Sequence, residues 1–194
     1  MATKRPGGAP TLTEQARRAQ LMTTTIELVA DKGYAGASLG AIAAAAGITK
    51  AAVLYHFPSK DLLVHAAYEQ VLAALTGAVA AAVEAADAAD GPAAYVRAMI
   101  GHLRDHPRHT RMIVEAMSRG GADYAPEVRW GPLARIIDGA AEARGAENVD
   151  SRTLAIVVGG AIDSIVSERL HDPDYDTERA AERLAELVES ALTP

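Results

Sequence analysis

Four side chains close together in the sequence, Thr49, Lys50, Tyr55 and His56, bring a hydroxyl, an ammonium, a phenol and an imidazole. Arranged on the outward side of a short helix, they form a surface of hydrogen-bond donors with one fixed positive charge. Such a surface suits phosphate oxygens and the acceptor edges of bases. Nothing beside them suits catalysis. Ser164, in Ile162-Asp163-Ser164-Ile165, lacks the glycine frame of a nucleophile turn, and no carboxylate pair or phosphate-cradling loop is present. The chemistry on offer is recognition, and the chain is expected not to be an enzyme.

The elements that must hold these groups are legible from 38 to 57. Ser38 caps one helix by accepting from a free amide of its first turn. Gly47 ends that helix, because a residue without Cβ enters the left-handed conformation at no steric cost. Thr49 caps the next helix two residues later, so the turn is short enough for a helix-turn-helix. Leu39, Ile42, Ala43, Ala46, Ile48, Val53 and Phe57 supply the apolar set that fixes the angle between the two. Lys50, at the start of the second helix, reaches phosphate or a guanine edge, and Thr49 serves as cap and contact together. Ala51 and Ala52 can read only by apolar contact, as with a thymine methyl. Tyr55 and His56 are phosphate donors, with a helix-end or core role as the alternative for each. Ser38, Lys60, Arg17 and Arg18 complete the expected nucleic-acid contacts, with Lys4 and Arg5 as a nonspecific arm.

The chain has 194 residues, no cysteine, 49% apolar residues and a net charge of −6. The charge is divided unevenly. Residues 1–60 carry seven Lys and Arg against three Asp and Glu, whereas the rest carries 12 against 22. A basic front on an acidic body is the asymmetry expected of a domain that faces phosphate. Disulfides and thiolate metal sites are excluded, and the N-terminus lacks the apolar segment of a signal peptide, so a cytoplasmic protein without a membrane partner is expected.

Helical periodicity divides the chain into about nine helices and no strand. Residues 1–12 read as a disordered basic arm, 13–58 as the DNA-binding core and 59–194 as a helical body. A helix runs from the Thr11–Glu14 capping signal to about Lys32, where Gly33 stops it. After the helix pair, a long alanine-rich helix spans 60–86. Further helices follow at 93–105, 108–119, 126–144, 150–171 and 177–192, separated by Pro and Gly punctuation.

Leu21-Met22, Thr25, Val29 and Gly33-Tyr34, then Ser38-Leu39, Ile42-Ala43 and Ala46-Gly47-Ile48-Thr49-Lys50, then Phe57-Pro58-Ser59-Lys60-Asp61-Leu62, resemble the DNA-binding domain of TetR-family transcriptional regulators. The resemblance covers 15–75. It departs at Thr25 and Val29, where alanine and phenylalanine are common, and at Leu54, where relatives often carry a tyrosine that touches phosphate. Gly40 stands where a charged residue is frequent. The sparse charge implies modest affinity per half-site and reliance on dimerisation.

The resemblance implies an all-α protein with an N-terminal three-helix DNA-binding domain and a C-terminal effector-binding and dimerisation domain. The last two helices would pair with those of a second copy, giving a homodimer that binds a palindromic double-stranded operator. The function implied is ligand-responsive transcriptional regulation, with repression released by a small-molecule effector. The alternative is a helical small-molecule-binding protein with little or no DNA binding. Residues expected near the effector are Tyr95, Met99, His102, Met112, Met117, Tyr124 and Trp130, with Asp163 as a buried polar partner. His102 and His106 are four apart with His109 nearby, but Pro107 interrupts their helix and no carboxylate or cysteine completes a set. No metal or other cofactor is therefore expected.

Overall fold

The computed structural model describes residues 11–118 and 126–193, the side chains of 117, 118 and 126 excepted. Among the described residues there are nine α-helices and no strand. The helix α1 (Leu12–Gly36) opens on a reciprocal capping box: Thr11 Oγ1 accepts from Glu14 N, and the Glu14 carboxylate accepts from Thr11 N at 2.8 Å. Its regular turns stop where expected, because Gly33 takes a φ of 67° and breaks the helix before a last partial turn. Ser38 and Thr49 cap α2 (Leu39–Ala45) and α3 (Lys50–His56), each accepting at 3.1 Å from the amide three residues on. Between them Gly47 has a φ of 67° and Ile48 N donates to Ala43 O, a left-handed C-terminal stop. The two helices meet at 101°.

That angle is set by packing. Leu21 from α1, Ile42, Ala43 and Ala46 from α2, Val53 and Phe57 near α3, and Leu63 form one buried cluster. The whole apolar set expected between the two helices is found in it or against it. Leu63 belongs to α4 (Lys60–Ala85), which Ser59 caps and which then runs on from this cluster into the body. A second cluster joins α1 to the body through Ile26, Val29, Ala37, Ala67, Val71 and Met112.

The body consists of α4, a 3₁₀ turn at Ala88–Asp90, α5 (Gly91–Asp105), α6 (Pro107–Ser118), α7 (Pro126–Arg144), α8 (Ser151–His171) and α9 (Thr177–Ser190). Its core is built from Val96 and Ile100, Leu133 and Ile137, Ala155, Val158 and Ile162, and Ala181, Leu184 and Val188. The apolar residues of α9 divide between two sides. Leu184 and Val188 face inward, but Leu187 lies to the side of them and is 67% exposed. On α8, Ile156 and Val157 also face outward. The helix α4 is long and apolar enough to cross a membrane by length and composition; its Leu63, Ala67, Val71, Leu75 and Val79 face the core instead.

Candidate nucleic-acid interface

Among the described residues, none covers the outer face of α3. Thr49, Lys50, Ala51, Leu54 and Tyr55 are exposed, and Ala52 and His56 are half-buried. Ser38 is exposed at the start of α2, with its hydroxyl occupied as a cap. Lys50 therefore projects a positive charge from the first turn of α3. Tyr55, 65% exposed, donates weakly to Glu14 Oε1 at 3.4 Å. The Glu14 carboxyl is held below its ordinary value, chiefly by its bond from the Thr11 amide, so it stays an anion beside the tyrosine.

Two of the expected cations have other occupations. Arg18 donates to the His56 carbonyl and lies 3.9 Å over the Phe57 ring. It thereby closes the C-terminal end of α3, where orphan carbonyls and the helix dipole both favour a cation. Lys60 donates to the Tyr34 carbonyl and stands 3.7 Å over the Tyr34 ring. In the free protein both are ties that fix where α3 and α4 sit. Arg17 donates to Gln20 on its own helix at 2.6 Å and remains half-buried beside α3. Lys4 and Arg5 lie outside the described residues.

His56 has its pKa lowered, first by burial and then by the positive charge of Arg18. At neutral pH it is an uncharged donor. Replacing His56 with glutamine is therefore expected to leave the salt dependence of DNA binding unchanged at neutral pH. The effect on folding has a definite sign. A histidine whose folded pKa lies below its unfolded one contributes fully above the unfolded value, near 6.5, and loses that contribution as pH falls through the folded value. Chemical denaturation of His56→Gln should show a shallower loss of stability between neutral and mildly acidic pH than the wild type. Equal slopes would remove His56 as an acid-sensitive group.

A feature not read from the sequence links this face to the body. Just beyond the Gly33 break, Tyr34 N donates to Glu115 Oε1 of α6 at 3.1 Å, while Lys60 holds the Tyr34 carbonyl from α4. Arg108 of α6 also pairs with Glu27 of α1 at 3.6 Å. No sequence signal marks a contact between residues 81 apart. A cleft of about 170 Å³ runs along this seam between α1, α4 and α6, with Val29, Tyr34, Val64, Tyr68 and Met112 in its walls.

The expected effector residues are divided among several places. Tyr95, Met99 and Trp130 each pack against the body core. Arg152 lies 4.9 Å over the Trp130 ring. The Tyr95 hydroxyl is pushed up in pKa, mostly by burial and secondarily by Asp163. Asp163 itself is exposed and pairs with Arg129 at 2.6 Å, which corrects its reading as a buried partner. Met112 is buried in the α1–α6 seam, where it lines the cleft described above. His102 lies in a cluster of imidazoles at the end of α5. Tyr124 and the side chain of Met117 lie outside the described residues. A second concavity, about 590 Å³ and open, lies along α8 from Asp163 to His171, again apart from Tyr95, Met99 and Trp130.

Residues 21–67 match the model of the bacterial regulatory proteins of the tetR family, a span that holds α2, α3 and most of their packing partners. The HTH-type transcriptional regulator BetI of Stenotrophomonas maltophilia is 38% identical over 87 residues, which are 45% of this chain and 43% of BetI. The chain thus matches less than half the length of that relative. Two solved structures extend the likeness over nearly the whole chain. A TetR-like transcriptional regulator from Rhodococcus sp. RHA1, 20% identical, aligns over 93% of this chain and 96% of its own with a TM-score of 0.74, a likeness of fold. A structure concerned with control of antibiotic production by bacterial hormones is 27% identical, covers 94% of this chain and 98% of its own, and gives a TM-score of 0.75. The DNA-binding segment is thus matched by the model of the bacterial regulatory proteins of the tetR family, and the fold from α1 to α9 is shared with TetR-like regulators of known structure.

Proposed function

We propose that this regulator is a cytoplasmic repressor that binds a palindromic operator as a homodimer and leaves it when a small molecule occupies the body. The observation that carries the reading is the uncovered face of α3, where Lys50 projects from a capped, rigidly packed helix and no part of the described chain lies over it. The basic balance of residues 1–60 supports it, since an overall acidic chain would otherwise repel phosphate. A two-fold dimer would present two such helices to half-sites about one helical turn, roughly 34–36 Å, apart.

Release would act through the seam. Glu115 and Lys60 grip the backbone N–H and C=O of Tyr34 from α6 and α4, so a shift of either body helix moves the end of α1 and with it the helix pair. A tenfold loss of operator affinity requires a coupling of only about 1.4 kcal/mol between the two sites. A bacterial hormone features in the work on one of the related structures, which favours a sensing body here.

Gel shift with the DNA upstream of the protein's own gene tests the reading. A retarded band that weakens with salt is expected, and none at low salt would refute it. Lys50→Ala should weaken binding and reduce the slope of log affinity against log salt by about one, the signature of one lost phosphate contact. An unchanged slope would place Lys50 off the backbone.

A further inference from the structure

Three imidazoles meet at the corner between α5 and α6. His102 stands in the last turn of α5, His106 caps that helix, and His109 opens α6 behind Pro107. Proline at 107 creates the cluster that the sequence suggests it would spoil. In an unbroken helix, residues seven apart are separated by about 10 Å along the axis. Here the chain turns at Pro107, and His109 Nδ1 comes within 3.5 Å of His102 Nε2. Two imidazole nitrogens bound to one tetrahedral zinc ion, each at 2.0–2.1 Å, stand about 3.4 Å apart.

The third ring is prepared in a different way. His106 stacks against both others, with centroids 4.2 Å from His102 and 5.1 Å from His109. Its Nδ1 lies 2.9 Å from the His102 carbonyl oxygen, which can only accept. A proton on that nitrogen satisfies the carbonyl and leaves Nε2 as the ring's ligating atom. His106 is exposed, so turning its ring disturbs little packing. Among the described residues no three donors already surround one point. Two ring nitrogens approach within 3.5 Å of each other, with the third ring stacked beside them.

We propose that His102 and His109 are the preformed half of a zinc site, completed by His106 and by water. Imidazole suits zinc among the divalent ions, and a nitrogen spacing of 3.5 Å favours a tetrahedral ion over an octahedral one. The ion would pin the angle between α5 and α6, the helix that grips α1 through Glu115 and Arg108. The site stands on this geometry alone and does not depend on the DNA-binding proposal.

The test uses the full chain without an affinity tag, stripped by chelator. Zinc is titrated by calorimetry, and cobalt by absorption as a reporter of coordination geometry. One equivalent per chain is expected, with the intense visible bands of tetrahedral cobalt and a higher melting temperature in zinc. His102→Gln and His109→Gln should each weaken binding at least tenfold and remove the thermal shift, with His106→Gln intermediate. His65→Ala, beside Glu69 on α4, and His171→Ala should bind as the wild type does. Circular dichroism without metal verifies that each variant is folded, and His102→Asn replaces any that is not. No binding, binding that persists in both the His102 and His109 variants, or binding lost only with His65 or His171 would overturn the proposal.

Discussion

Phe57→Ala is expected to lower the stability of the DNA-binding domain by about 3–5 kcal/mol, enough to leave it largely unfolded in a protein of ordinary stability. Phe57 is 2% exposed and touches the cluster at the point where α1, α2, α3 and α4 come together. Its ring also receives the Arg18 guanidinium, whose other contact closes α3. Truncation thus removes apolar burial, opens a cavity and frees the cation that fixes the recognition helix. The chain supplies its own reporter for separating the two halves. The single tryptophan, Trp130, sits in α7 on the body core, so its fluorescence follows the body, whereas circular dichroism follows every helix. In urea the variant should lose part of its helical signal early, while the Trp130 transition moves less. Equal shifts of both signals would show that α4 and the α1–α6 seam weld the chain into one cooperative unit. An unmoved circular-dichroism transition would contradict the role given to Phe57.

The sequence made the helix-turn-helix readable because its determinants are local. Capping by Ser38 and Thr49 depends on residues three positions away, and the stop at Gly47 depends on its own φ. Periodicity likewise identified Ile42, Val53 and Phe57 as inward. What it could not supply was the neighbour on the other side. Arg18 and Lys60 are long cations that choose partners by tertiary placement, and each found an aromatic ring and a carbonyl from a different element. Met112 has the apolar character expected of an effector residue, yet α6 turns it towards α1. Asp163 faces outward because α8 buries Ala155, Val158 and Ile162, and the position after Ile162 falls on the other side of the helix. The histidines show the same limit in reverse: Pro107 argues against a shared helix face and says nothing about a corner that folds back.

Val157→Asp should convert the protein to a monomer and weaken operator binding by more than 100-fold. In the single chain Val157 is 60% exposed, with Ile156 at 48% on the same helix and Leu187 at 67% on α9. These are large apolar groups on the two helices proposed to pair with a second copy. Since a two-fold interface repeats every contact, one substitution enters it twice. Burying an unpaired carboxylate costs several kcal/mol, and 2.8 kcal/mol in total already raises a dimer dissociation constant about 100-fold. The variant should nevertheless fold, because Val157 takes no part in the body core and its carboxylate meets water in the monomer. Sedimentation equilibrium reads the mass and gel shift on the palindrome reads the affinity, with Val157→Ala as the control that keeps the face apolar. A variant that remains dimeric would remove this face of α8 from the interface. A monomer that binds the operator undiminished would show that one copy of α3, with Lys50 as its exposed cation, suffices, against the sparse charge of α2 and α3.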